Sequence, residues 1–298
     1  MALFDYIQRL WSDPPPEYAF EISEAGIAFT PCASAGQMQF RPFEPEVLSV
    51  SPVHDNLNKP EAFAAHVAAL APSPNVRKRR SAALILPDYA ARVQVLDFDS
   101  FPALAEEQLA LVRFRARKSV PFDVESAVVS YWVQPSNGSG KVDVVAAIIA
   151  LEIVARYEAP FRAAGFQPGF VTTSALAALN LAPRAGRFIL LKLSGRALSA
   201  LALENDRLKL TRCVELDRVE SDDILAVLYP TLAYMEDELS AGPEKLLLCG
   251  FGDRARDWAT RWQSELNLPV EALGSRFGTP GPYNSGLLGY LTGWGGGA

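Results

Sequence analysis

One order of elements is written twice along this chain, and that duplication limits the possible folds more than any other feature. Tyr18–Ser23, Gly26–Cys32 and Gln37–Phe43 alternate with period two and read as three strands joined by Ser-Glu-Ala-Gly and Ala-Ser-Ala-Gly turns. Pro60 then opens a helix whose Phe63, Val67 and Leu70 share one face, and Ala82–Leu86 is a buried strand closed by Pro87. From residue 187 the order recurs. Arg187–Leu193, Ala197–Leu203 and Arg207–Cys213 are strands, Asp222–Leu239 a helix and Lys245–Gly250 a strand. Each copy closes with α-β-α: Leu151–Ala164, Gly169–Thr173 and Ala175–Leu181 in the first, Asp253–Leu266, Pro269–Leu273 and Ser285–Leu291 in the second.

Between Pro87 and Leu151 lies an insertion of strand Arg92–Phe98, helix Pro102–Lys118, strand Val128–Val133 and strand Val142–Ile149, the last assignable to either unit. Two facing βββαβαβα units with an inserted α+β subdomain in the first is the layout of the actin-like, ribonuclease-H-like ATPase superfold. The expected organisation is a leader at 1–16, a first domain from 17–87 with 151–183, an inserted subdomain at 88–150, and a second domain at 184–298. A chain of 298 residues can bury two such cores. The net charge of −6 argues against wrapping nucleic acid, which needs a basic surface. The longest apolar run, Val144 to Leu151, is too short to span a membrane, and the opening residues lack the pattern of a cleaved secretion signal, so a cytoplasmic location is expected. Cys32, Cys213 and Cys249 are isolated in apolar stretches and fit reduced, buried thiols. With two histidines, His54 and His66, and no G-x-S-x-G turn, neither a metal cluster nor hydrolytic machinery is expected.

The insertion carries a more specific signal. Leu84-Ile85-Leu86-Pro87-Asp88, Phe101-Pro102, Glu106-Glu107-Gln108, Val120-Pro121-Phe122-Asp123 and Val129-Ser130-Tyr131-Trp132-Val133 resemble the PilM family of type IV pilus assembly proteins. The resemblance continues through Ala163-Ala164-Gly165-Phe166-Gln167-Pro168 and Leu246-Leu247-Leu248-Cys249-Gly250, and so covers roughly residues 17 to 292. The cytoplasmic domain of the type II secretion protein GspL is similar too. The resemblance implies a protein peripheral to the bacterial inner membrane. Such proteins grip the short cytoplasmic tail of a bitopic PilN protein in a groove beside the inserted subdomain, and many bind ATP in the central cleft.

An actin-like nucleotide site needs two hairpin loops around the phosphates, each preceded by an Asp that orients magnesium-bound water. Here Glu21 replaces the first Asp, Ser23 holds the glycine position, and Glu24 adds a negative charge. At the second loop, Lys192 stands where the acid belongs, before Ser194 and Gly195. We therefore expect Glu21 and Lys192 either to pair across the cleft or to be solvated at its mouth. Cys249-Gly250-Phe251-Gly252-Asp253 fits an adenosine-side loop or an ordinary strand-to-helix turn. About eight residues separate the last strand of the second meander from its helix, leaving no room for the helical subdomain that covers the purine in the family. Asn137-Gly138-Ser139-Gly140-Lys141 mimics a Walker loop, but Pro135 and Val142 break the pattern, and it reads as a hairpin loop.

Three surfaces are candidate contacts. Arg113 and Arg117 line one face of the inserted helix, near Pro121 and Phe122. This is either the border of the partner groove or a solvated face matched to the helix dipole. Arg77, Lys78, Arg79 and Arg80 form a connector that either attracts anionic lipid or keeps the chain soluble. The leader, with Leu3, Phe4, Ile7, Leu10 and Trp11 at helical spacing before Pro14-Pro15-Pro16, suits membrane contact, although Asp5 and Asp13 offset Arg9, or equally partner contact or self-association. The expectation is a scaffold that recruits a PilN-like tail and needs no cofactor. The alternatives are an active ATPase using ATP and magnesium, and a component of a type II secretion platform.

Overall fold

The computed structural model describes residues 16–34, 36–70, 79–135, 140–239 and 241–294. The first meander forms β1 (Tyr18–Ser23), β2 (Gly26–Pro31) and β3 (Gln39–Pro42), followed by α1 (Pro60–Leu70) and β4 (Arg80–Leu86). The insertion holds β5 (Arg92–Phe98), α2 (Ala105–Ala116), β6 (Ala127–Val133) and β7 (Val142–Ala150). Then come α3 (Leu151–Ala163), β8 (Phe166–Thr173) and α4 (Ser174–Ala178). The second copy runs β9 (Arg187–Ser194), β10 (Ala197–Glu204), β11 (Arg207–Glu215), α5 (Ser221–Glu238), β12 (Lys245–Cys249), α6 (Arg254–Leu266), β13 (Val270–Ala272) and α7 (Ser285–Trp294).

The sequence duplication is a duplication of topology. One five-stranded sheet is ordered β3-β2-β1-β4-β8 and the other β11-β10-β9-β12-β13, with antiparallel meander strands followed by parallel ones. Each outer face is covered by helices, because every second residue of its central strands is large and apolar. Phe20, Ile22 and Leu84 pack under α1 and α3 with Phe63, Tyr157 and Phe161. Ile189, Leu191 and Leu246 pack under α5 and α6 with Leu228 and Trp262. The Trp262 indole N–H donates to Ser221 Oγ at 2.8 Å, tying α6 to the start of α5.

The inner faces differ. The first is lined by Ala19, Ala28 and Ala83, small enough to admit a helix at close range, and the occupant is α7 through Leu287, Tyr290 and Leu291. The closing helix of the second copy thus rests on the first sheet, although the sequence places it within the unit at 184–298. In return, α4 lays Ala175 and Ala178 on the second inner face, among Phe188, Leu190, Leu201 and Leu247. Where α4 and α7 cross, a Cβ on Gly289 would stand 2.2 Å from the Ala177 carbonyl oxygen, so only glycine permits the approach.

The insertion is a three-stranded antiparallel sheet ordered β5-β7-β6, which assigns β7 to the insertion. One face packs beneath α2 through Val112 and Ala116. On the other, Val93, Val95 and Val145 join the second copy's inner core. Gln134 fixes this docking by bonding both ways to Leu208, at 2.7 and 2.8 Å, and Asp143 accepts from Arg207 at 2.6 Å and from Lys209 at 3.2 Å. Only residues 216–220 separate β11 from α5, so a covering helical subdomain has no room there. The leader, residues 71–78 and residues 136–139 lie outside the described residues, and with them Arg77, Lys78 and Asn137-Gly138-Ser139 of the Walker-like stretch.

Candidate functional site: the cleft between the two sheets

Glu21 and Lys192 occupy equivalent places in the two sheets, each two residues before its hairpin and facing inward. Their neighbours are set by register: Glu21 lies between Ala28 and Ile85, Lys192 between Ser199 and Cys249. Both are fully buried, Glu21 at 1% exposure and Lys192 at 0%, so neither is solvated at a cleft mouth. Nor do they form the expected direct pair. The Lys192 ammonium donates to Asp88 Oδ2 at 2.8 Å, and Asp88 also accepts from the Ala175 N–H at 2.5 Å and from Ser199 Oγ at 3.3 Å. Glu21 accepts from Ser174 Oγ and from the Leu287 N–H at 2.7 Å, at the first turns of α4 and α7. The two partners win because they arrive on short, rigid approaches. Asp88 follows Pro87 at the end of β4 and is itself 4% exposed, and helix N-termini offer unpaired N–H groups to a carboxylate.

The electrostatics follow. Burial raises the Glu21 carboxyl above its ordinary value, against the pull of Lys192, Ser174 and the backbone of α7. For Lys192, burial opposes the charge, but Asp88 and Glu21 together outweigh it, and the ammonium's pKa is raised. Burial pushes the Cys213 and Cys249 thiols up to about 12 and the Cys32 thiol to about 11, the values of unreactive thiols. All three are free; Cys249 is buried, and Cys32 and Cys213 are half-buried.

Above this buried cluster, a cleft of about 250 Å³ opens between the two hairpins. Ser23 and Glu24 line it from the first turn, Ser194, Gly195 and Arg196 from the second, with Asp88, Glu215 and Tyr283 around them. Glu24 Oε1 accepts from the Val50 N–H at 3.0 Å, and its carboxylate reaches toward Gly195, where a Cβ would meet Oε2 at 3.6 Å. Arg196, the basic residue of the lining, is engaged by Glu215. Ser23 Oγ donates to the Gly26 carbonyl at 3.0 Å and serves its own turn. Gly250, at φ +82°, lies under β9, where a Cβ would stand 2.2 Å from the Leu193 carbonyl oxygen. A Cβ at Gly252 would meet Pro282. Neither glycine lines the cleft, and both serve the strand-to-helix turn. Glu215 is matched by Arg196, which leaves Glu24 as the lining carboxylate a triphosphate would oppose; two like charges about 4 Å apart repel by about 4 kcal/mol at an effective dielectric near 20.

The surface candidates separate as well. Arg113 donates to the carbonyls of Val124 and Ala127, at 2.5 and 3.2 Å, and so fastens the loop before β6 rather than facing outward. Arg117 is exposed and pairs with Glu125 at 2.6 Å. Pro121 is exposed, and Phe122 is half-buried between two cores. Arg79 is exposed, whereas Arg80 is buried against the Phe166 ring and presents no charge to a membrane. Among the described residues, no helix is long and apolar enough to cross a membrane. No group of three or more His, Cys, Asp or Glu side chains among them could hold a metal ion.

Asp88 and Ser174 are the site residues that sequence reasoning missed. An acid placed directly after a strand-ending proline was the available signal. β6 is an edge strand that exposes Val128 at 40% and Trp132 at 55% on the face away from α2.

No protein-family model matches this sequence, and no curated protein is significantly similar to it. Solved structures do match. The PilM–PilN type IV pilus biogenesis complex aligns over 94% of this chain and 98% of its own, with a TM-score of 0.70 at 19% identity. A Bacteroides thetaiotaomicron protein with an actin-like ATPase fold and unknown function aligns over 98% and 99%, with a TM-score of 0.55 at 12% identity. The chain has an actin-like fold. The cytoplasmic domain of EpsL, an inner-membrane component of the Vibrio cholerae type II secretion system, aligns over 78% and 80%, with a TM-score of 0.46 at 16% identity.

Proposed function

We propose that this protein is a PilM-like scaffold on the cytoplasmic face of a type IV pilus assembly platform, and that it binds the cytoplasmic tail of a PilN-like membrane protein. The supporting observation is the fold match to a PilM–PilN complex across nearly the whole of both chains, insertion included. On this reading 17–87 with 151–183 form the first domain, 88–150 the inserted subdomain and 184–298 the second, with α7 handed across to the first sheet.

The cleft residues do not fit magnesium-bound ATP. Glu21 and Lys192, at the positions that would orient magnesium-bound water, are spent on burial, helix N-termini and Asp88. Glu24 lines the cleft between the hairpins that would wrap phosphate, and the connection at 216–220 leaves the purine side uncovered. The cleft in this reading is a structural joint, and binding has moved to the insertion. An extended peptide lying along β6 would gain main-chain hydrogen bonds from the open edge and apolar anchors from Val128 and Trp132. Arg117 and Pro121 lie at the rim; Arg113 and Phe122 shape the groove from within. Membrane contact falls to Arg79 with the neighbouring Arg77 and Lys78.

The test is capture of the folded protein by an immobilised N-terminal tail of a PilN-like partner. Capture lost in Trp132→Ala, with an unchanged thermal melt, is the expected result. Failure of the folded wild type to bind refutes the scaffold reading. Titration calorimetry that finds Mg-ATP bound more tightly than about 100 μM refutes the claim about the cleft.

A further inference from the structure

The outward face of α2 combines an exposed aromatic ring with a charge pattern that is complementary to itself. Phe114 is 66% exposed, the most exposed aromatic ring among the described residues, and it lies on one stripe with Glu107, Ala110 and Arg117 at three- and four-residue spacing. Along that stripe the charge changes sign. Glu106 and Glu107 occupy the first turn, and Arg117 and Lys118 follow the last. Glu106, Glu107 and Lys118 have no ion pair among the described residues, and the Arg117–Glu125 pair is exposed on both sides, 62% and 61%, so it is readily exchanged. The helix dipole accounts for acids at one end and bases at the other. It does not account for a phenyl ring held in water between them.

We propose that this face docks on the same face of a second copy of this chain, the two α2 helices lying antiparallel about a two-fold axis at Val112. The register is set by the sequence itself. Phe114 then packs on Ala110 of the second copy, Glu107 meets Arg117, and Glu106 meets Lys118, each contact occurring twice by symmetry. Ala110 leaves room for the ring at an interaxial distance near 8 Å. Val112 is buried under the helix and points away from the axis, so nothing obstructs the approach. A parallel arrangement would set acid against acid and base against base, and is disfavoured. Twelve residues of helix span about 18 Å, which places the buried area at the low end of specific interfaces, and the dimer is a weak one, about 10 μM to 1 mM. Such an affinity suits a protein that is concentrated by tethering.

The experiment is sedimentation of the full chain over a concentration series, with two charge variants. Glu106→Lys with Glu107→Lys makes the whole stripe positive; Arg117→Glu with Lys118→Glu makes it negative. Each variant alone is expected to lose at least tenfold in self-association, and an equimolar mixture of the two to recover it, because every contact in the mixed dimer is again between opposite charges. Phe114→Asp is expected to abolish the dimer in any mixture. All changes are at exposed positions, and matching circular dichroism and thermal melts establish that each variant folds. A wild type that stays monomeric up to about 1 mM overturns the proposal. So does a dimer indifferent to these variants, or a mixture that fails to recover. Binding of the monomer to phosphatidylglycerol vesicles, lost in Phe114→Asp, would assign the face to lipid instead and equally refute the dimer. None of these outcomes depends on PilN-tail capture, so this inference stands or falls separately from the proposed function.

Discussion

Replacing Lys192 by methionine removes the one cation from a buried cluster while nearly preserving its volume. Lys192 Nζ lies 2.8 Å from Asp88 Oδ2, with side-chain exposures of 0% and 3%. At that separation, and an effective dielectric near 20, the attraction is about 6 kcal/mol. Desolvation of both charges offsets part of it, and the measured cost of breaking such a pair from one side is about 3–5 kcal/mol, because the remaining charge stays buried. At roughly 2–4 °C per kcal/mol for a chain of this size, Tm falls by ~10 °C. Urea and thermal denaturation followed by circular dichroism measure it. Adding Asp88→Asn removes the stranded carboxylate but keeps an oxygen for the Ala175 N–H, so the double variant should recover at least half of the loss. A loss under about 1 kcal/mol for Lys192→Met, or a double variant no better than the single, would refute the claim that this pair holds the two sheets together.

Glu21→Gln tests the opposite sign. The folded-state pKa of Glu21 is raised above its ordinary 4.5, so its contribution to stability is fully present below that pH and is lost as pH rises through the folded value. The glutamine variant should therefore flatten the pH–stability curve between 4.5 and the raised folded-state value and be at least as stable as the wild type near neutrality; a destabilisation there exceeding about 1 kcal/mol counts against it. Gly289→Ala drives a methyl group into the Ala177 carbonyl, and overpacking of this kind costs about 1–3 kcal/mol, with faster hydrogen exchange expected in α4 and α7. Asp143→Ala leaves Arg207 and Lys209 facing each other without an anion, and a loss of about 3 kcal/mol with selective proteolysis inside 88–150 is expected. Uniform protection of the insertion would show that its docking rests on apolar contact alone.

Local pattern carried most of the architecture. β1 and β5 fall on the residues that alternation predicts, α1 opens at Pro60, and α5 and α6 differ from expectation by a residue at their ends. These elements are readable because each depends on neighbours within a turn or a strand. The charged residues of the cleft are a different matter. Lys192 and Asp88 are 104 residues apart, and Glu21 and Leu287 are 266 apart, so no local period relates them. Residue type marks Glu21 and Lys192 as out of place in a nucleotide site and leaves open a direct pair or solvation at the cleft mouth; the fold realises neither, because each finds a partner from a distant segment. Arg113 is a similar case: a helix period puts it on one stripe with Arg117, and only the fold shows the carbonyls of Val124 and Ala127 within its reach.

The sequence by itself determined the doubled β-β-β-α-β order, the place of the insertion, the shortened link before α5 and the glutamate and lysine, Glu21 and Lys192, that precede the two hairpins, because each is a matter of residue type at a given spacing. Tertiary structure alone decided which partner each buried charge takes, that α4 and α7 exchange sheets, and that Trp132 and Phe114 face outward. Burying a charge is tolerable only where donors or counter-charges converge from distant segments, and that convergence is a property of the packed chain.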